Sequence, residues 1–274
     1  MSISETVLEM HFHGSILSLI QSRLGLGPAG LMNFYKYSPQ KEVFVGFDQA
    51  YVCSQLSEQA MFNHLKISAS TNNYNLGPIF VGLFLQFKVV FPLSRKSKNT
   101  PTQISSTPFY RSALSTQQNV NTGQAQHQLL HLLSANQGAF VYYACPMLFD
   151  RTKLYCPPEL NELRLVDVRS SAGPYLDNQK HFIFFDSPTS IPIWKSEPKE
   201  GKSIYPEELA ENIRLYVAKT STEESANAVL RILGQVTELR GAADAKGEPF
   251  ELFEESFTLL EIWPNKESQH GAVA

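Results

Sequence analysis

The chain has 274 residues, 43% hydrophobic and 18% charged, which suffices for a substantial core and excludes a globally disordered protein. Lys plus Arg number 23 against 26 Asp plus Glu, so the net charge of −3 excludes coating of nucleic acid by bulk charge and leaves room only for a local basic groove. Three cysteines without a C-x-x-C pair, no apparent signal peptide and no apolar run long enough to span a bilayer predict a cytoplasmic protein with reduced thiols and no membrane segment.

In chain order, the first predicted element is a helix. Ser2 and Glu5 have capping-box spacing, and Leu8, Phe12, Ile16, Leu19 and Ile20 recur at helical intervals until the Gly-rich stretch 25–30. Leu31 to Tyr37 and Glu42 to Cys53 read as a pair of strands, and Leu56 to Ile67 as a helix. The near-continuous apolar run Ile79 to Val90 predicts a strand buried on both faces. Ser94 to Thr107 lacks apolar periodicity and is expected to be a mobile linker. A strand at 109–114, a helix at 124–133, a buried strand at 139–145 and short strands at 163–168 and 181–185 follow. The last stretch predicts two helices, one opening at Pro206 and one capped by Ser221 and Glu224 and stopping at Gly241, with a frayed tail after Pro264. The sum is an α/β fold: a central mixed sheet flanked by helices over residues 1–200, with a C-terminal helical extension over 201–274.

Three residues or pairs break this local logic. Gln86 and Lys88 sit in the apolar strand at i and i+2, hence on one face, where a lone ammonium needs an anionic partner or ligand. The alternative is a strand end from which Lys88 snorkels to solvent. Asp48 interrupts a strand-like run just after Gly46, where a bulge can re-aim a side chain; the alternative is a turn or cap. Glu9 extends the stripe of Phe12, Ile16 and Leu19 and is expected to face inward unless it is an ordinary exposed carboxylate, with Glu5 a weaker candidate for the same place. Two carboxylates, an amide oxygen and an ammonium on neighbouring elements suit Mg²⁺ (or Mn²⁺). Such a metal would activate a water, and the lysine would stabilise the developing charge.

These positions resemble the restriction-endonuclease-like PD-(D/E)xK superfamily, through Val45-Gly-Phe-Asp48, Leu85-Gln-Phe-Lys88 and Glu9 ahead of them. The D…QxK form is similar to modification-dependent restriction enzymes and bacterial anti-phage effector nucleases, and the likeness covers roughly residues 5 to 150. The resemblance implies a restriction-endonuclease-like core and a metal-dependent DNA endonuclease of restriction or phage defence, working with a sensor protein or as a homo-oligomer. It implies Glu9, Asp48 and Gln86 as metal ligands and Lys88 as the charge-stabilising or water-positioning residue. The rival from another class is a non-catalytic α/β scaffold that binds a partner protein or nucleic acid.

Other features point to less. His127 and His131 have the i, i+4 spacing of a zinc-binding helix, but Gln128 stands where H-E-x-x-H needs its glutamate, so they read as framing a polar helix whose Gln124 or Gln128 approaches the site. Arg95, Lys96 and Lys98 offer a grip on a nucleic-acid backbone or a solvated loop. Cys145 reads as a packed thiol. P-loop, dinucleotide-binding and nucleophile-elbow motifs are absent.

Overall fold

A computed structural model describes residues 3–26, 31–36, 58–70, 77–98, 100–114, 116, 125–175, 177, 179–195, 198–244 and 257–264. In order, the elements are α1 (Glu5–Arg23), β1 (Leu31–Lys36), α2 (Glu58–Ser70), β2 (Ile79–Phe87), β3 (Val90–Leu93), β4 (Phe109–Ala113), α3 (Gln126–Ser134), β5 (Ala139–Pro146), β6 (Leu163–Asp167), β7 (Phe182–Phe185), β8 (Ile193–Trp194), β9 (Lys199–Glu200), β10 (Ser203–Ile204), α4 (Pro206–Lys219), α5 (Thr222–Asp244) and β11 (Phe257–Trp263). The class is α/β with a mixed six-stranded sheet, order β1-β11-β2-β5-β6-β10. Gly82 N–H donates to Gly138 O and Lys88 N–H to Ala144 O, both at 2.9 Å and with the same step along each chain, so β2 and β5 run parallel. The other neighbours in this sheet are antiparallel. A second, wholly antiparallel sheet has the order β3-β4-β7-β8-β9. Among the described residues no helix is long and apolar enough to cross a membrane.

The chain divides into two compact units. One comprises residues 21–84, 136–140 and 211–274. There α2 packs on α5, and Phe84 of β2 stacks on Phe257 of β11 at 4.7 Å. Its one buried carboxylate among the described residues, Glu261 of β11, accepts from Asn33 Nδ2 of β1 at 3.2 Å and from His64 Nε2 of α2 at 2.9 Å. A carboxylate in mid-sheet survives burial because these donors answer its charge. The other unit comprises residues 1–20, 85–135 and 141–210. Its buried residues include Phe12 and Ile16 of α1, Tyr143 and Cys145 of β5, and Leu163 and Leu165 of β6.

Several expectations are refined. α1 is capped by Ser4, whose Oγ accepts from Val7 N–H at 3.3 Å, while Ser2 lies outside the described residues. The starts of α4 and α5 carry local signals: Pro206 opens α4, and Ser221 and Glu224 exchange backbone-to-side-chain bonds at 3.0 and 3.2 Å ahead of α5. Gly241 does not stop α5, which runs to Asp244. The C-terminal stretch also supplies strands, β10 and β11, and β1 pairs with β11 in register. The apolar run 79–90 is not one strand: β2 ends at Phe87, and β3 joins the second sheet. The polar segment 94–107 is tied down. Lys96 Nζ donates to Ile104 O at 2.5 Å, Ile104 is buried, and Asp186 accepts from the N–H and hydroxyl groups of Ser105 and Ser106 at 2.6–3.0 Å. The predicted strand at 42–53 and the tail beyond Pro264 lie outside the described residues.

Candidate active site

The site is built where the chain leaves one sheet for the other. Residues 88 and 89 belong to neither strand, yet Lys88 still donates its backbone N–H to Ala144 O, which holds it against β5. Its side chain is buried, with 3% of its surface exposed. An ammonium in that setting needs a counter-charge. Glu5, at the first turn of α1, supplies it: both carboxylate oxygens lie 3.3 Å from Lys88 Nζ. The row Leu8, Phe12, Ile16, Ile20 buries one side of α1 and so fixes the rotation that brings Glu5 to the lysine. Glu9, one turn later, is half-buried.

Gln86 is half-buried and its amide is engaged on both ends. Oε1 accepts from Gln126 Nε2 at 2.5 Å, and Nε2 donates to Phe87 O at 3.3 Å. Gln126 stands in the first turn of α3, and its neighbour His127 locks that helix in place. His127 is fully buried, with Nδ1 2.9 Å from the Tyr143 hydroxyl and Nε2 2.9 Å from Gly173 O. Because a carbonyl can only accept, the proton resides on Nε2 and Nδ1 accepts from Tyr143. Tyr175 lies against the imidazole at 4.7 Å. Burial lowers the His127 pKa to about 4, so the ring is neutral at neutral pH with both nitrogens committed. A zinc-binding role with His131 is thereby unavailable to it in this arrangement.

Cys145, beside this cluster on β5, is fully buried, and burial pushes its thiol up to about 12. It carries no thiolate at neutral pH and acts as a packed core residue. His13, on the α1 row of Glu5 and Glu9, has both ring nitrogens buried without a hydrogen-bond partner among the described residues, and burial lowers its pKa to about 4.

The sequence-predicted residues divide as follows. Lys88 and Gln86 lie in one unit with Glu9, and among the described residues the carboxylate in ion-pair contact with Lys88 is that of Glu5. Asp48 lies outside the described residues. Gln124 lies outside the described residues, and Gln126 meets Gln86. Its signal was its place beside His127 at the helix start, opposite a polar strand residue. Among the described residues no group of three or more His, Cys, Asp or Glu could hold a metal ion. The Gln86 oxygen accepts from Gln126 and keeps one lone pair, so among the described residues Glu9 and Gln86 are one carboxylate short of the hard-oxygen set that magnesium takes.

No known protein family, curated protein or solved structure matches this chain.

Proposed function

We propose that the chain is a metal-dependent nuclease that hydrolyses DNA phosphodiester bonds, with a restriction-endonuclease-like core, acting in restriction or phage defence in the cytoplasm. The observation that carries this reading is the buried Lys88 ammonium at the end of β2, two residues after Gln86 and 3.3 Å from a carboxylate of the first helix. A charge kept in so dry a place acts strongly on an anion brought beside it. The order of α1, β2, α3 and β5, with β2 and β5 parallel, further supports a core of this kind, to which the helices α4 and α5 are appended.

In this proposal Lys88 orients the attacking water or stabilises charge on the scissile phosphate, Glu5 holds its ammonium in place, and Gln126 fixes the Gln86 amide. Glu9, Asp48 and Gln86 are the proposed ligands of Mg²⁺ or Mn²⁺, with Asp48 supplying the second carboxylate, and the ion would supply a more acidic bound water when held there. The test is nicking of supercoiled plasmid with Mg²⁺ or Mn²⁺ and with EDTA. The parent nicks only with metal, and Lys88→Ala, shown to be folded by circular dichroism, loses the activity. Equal cutting by parent and variant removes the lysine from the mechanism.

One observation favours a second reading, a non-catalytic scaffold for a partner protein or nucleic acid: the ammonium and the amide oxygen are both already answered from within the chain, by Glu5 and Gln126. Calorimetry separates the two. A nuclease of this type shows saturable Mg²⁺ or Mn²⁺ heat that Asp48→Asn abolishes, and a scaffold shows none.

A further inference from the structure

The second sheet carries a cationic and aromatic surface that the proposed chemistry does not use. In its register Phe91 pairs with Arg111, Arg111 with Phe184, and Ala113 with Phe182, so these side chains share one face. Part of that face is covered by a buried cluster of Ile104, Phe109, Phe184 and Ile193, with Phe182 at its margin. Beyond the margin the face opens. Phe91 is 42% exposed, Ala113 is exposed, and Arg111 and Lys195 are only half-buried.

Both cations converge on one ring. The Arg111 guanidinium lies 4.6 Å from the Phe182 centroid and the Lys195 ammonium 5.3 Å from the same centroid. Among the described residues neither forms an ion pair with a carboxylate, although pairs occur elsewhere in the chain. Lys180, exposed two residues before Phe182, adds a third positive charge nearby. A ring quadrupole attracts a cation but does not cancel its charge, and two like charges around one ring repel. The patch thus holds two cations without a carboxylate in ion-pair contact among the described residues, beside the exposed Phe91, on a face whose acidic residue, Glu200, lies at the far edge strand opposite Ile193.

From this juxtaposition we infer that the open face of the second sheet binds single-stranded DNA, with phosphates on Arg111 and Lys195 and a base stacked on Phe91. Its preference for DNA over RNA and its role as a substrate-holding platform rest on the nuclease reading; the binding of an unpaired strand does not. A duplex keeps its bases paired and offers the patch phosphates alone, whereas an unpaired strand satisfies the cations and the ring together. An acidic peptide matches the charge but has no flat group for Phe91.

Fluorescence anisotropy in EDTA, with the full chain and a labelled dT20 oligonucleotide, tests the inference without any turnover. Parent protein binds dT20 saturably at 50 mM salt. Arg111→Gln with Lys195→Gln weakens binding tenfold or more and lowers the log–log salt slope by about 1.4, roughly 0.7 for each lost phosphate contact. Phe91→Ala weakens dT20 by at least fivefold and leaves duplex of the same length unchanged. Absence of saturable binding by the parent, parent-like binding by the double variant, equal losses on duplex and single strand, or stronger binding of oligo(U) or polyglutamate overturns it. The two proposals are read apart by condition: dT20 binding in EDTA reports the patch without turnover and plasmid nicking with metal reports the Lys88 site, so a failure to bind and a failure to cut are scored independently.

Discussion

Lys88 and Glu5 are unequal partners: the ammonium is buried, while 43% of the glutamate side chain remains exposed. Removing one member of a fully buried pair costs about 3–5 kcal/mol because the other charge is stranded. Solvent around Glu5 relieves part of that penalty, so Glu5→Gln is expected to destabilise by about 1–2 kcal/mol. Adding Lys88→Met to that variant removes the stranded charge and recovers most of the loss. Urea unfolding of the two single variants and the double variant checks this as a thermodynamic cycle, and strictly additive effects would show that the contact carries no coupling. His13 makes the opposite case. Its ring nitrogens have no hydrogen-bond partner among the described residues, so His13→Leu removes a desolvated polar group and is expected to leave stability unchanged or raise it by up to about 1 kcal/mol. A drop beyond 1 kcal/mol in the same urea experiment would mean that the imidazole is satisfied by something it holds.

At the scale of elements, what the sequence discloses depends on how locally each element is encoded. α1 is written in its own apolar stripe, and α5 in the Ser221–Glu224 exchange, so both are legible from a short window. The break after Phe87 is not, because an unbroken apolar run looks the same whether it enters one sheet or two. β8, β9 and β10 are two residues each, too short to show a period, and they exist only through partners distant in sequence. The candidate site divides the same way. Lys88 is legible because an ammonium violates an apolar run, whereas its pairing with Glu5, and that of Gln86 with Gln126, depends on helix rotations set by tertiary packing. One element junction yields a sharp expectation. Gly138, just before β5, has φ +77°, and a Cβ there would lie 2.6 Å from the Tyr216 hydroxyl oxygen. Gly138→Ala combines a left-handed backbone with a steric clash, so a loss of about 2 kcal/mol or more is expected. The corresponding fall in melting temperature is roughly 4 °C or more, measured by calorimetry. Pairing it with Tyr216→Ala removes the clash but not the strain, so only part of the loss returns.

For the molecule as a whole, the buried imidazoles set how stability responds to acid. Burial lowers the pKa values of His127 and His13 from 6.5 to about 4, so between those pH values the unfolded chain takes up protons that the folded chain refuses. Folding stability is therefore full above about pH 6.5 and falls as pH drops toward 4, the sign fixed by the larger proton uptake of the unfolded state. A shift of this size corresponds to about 3 kcal/mol for the fully buried His127, a large share of the roughly 5–15 kcal/mol available to a folded domain. Asp186 acts in a lower window. The Ser105 and Ser106 donors hold its carboxyl at about 2, so its contribution persists above its ordinary pKa of 3.8 and is lost only as pH falls through 2. Acid sensitivity between pH 6.5 and 4 is thus expected to belong to the histidines and not to the Asp186 clamp. Urea midpoints at pH 7.5, 5.5 and 4.5 measure the slope for the parent, for His127→Phe and for Asp186→Asn. His127→Phe keeps an aromatic ring against Tyr143 and Tyr175 while removing the titrating nitrogens, so it loses stability at pH 7.5 yet declines more shallowly with acid. Asp186→Asn keeps the parental slope across the same range. A His127→Phe slope identical to the parent's would show that the folded and unfolded chains hold this imidazole's proton equally, so that burial does not lower its pKa.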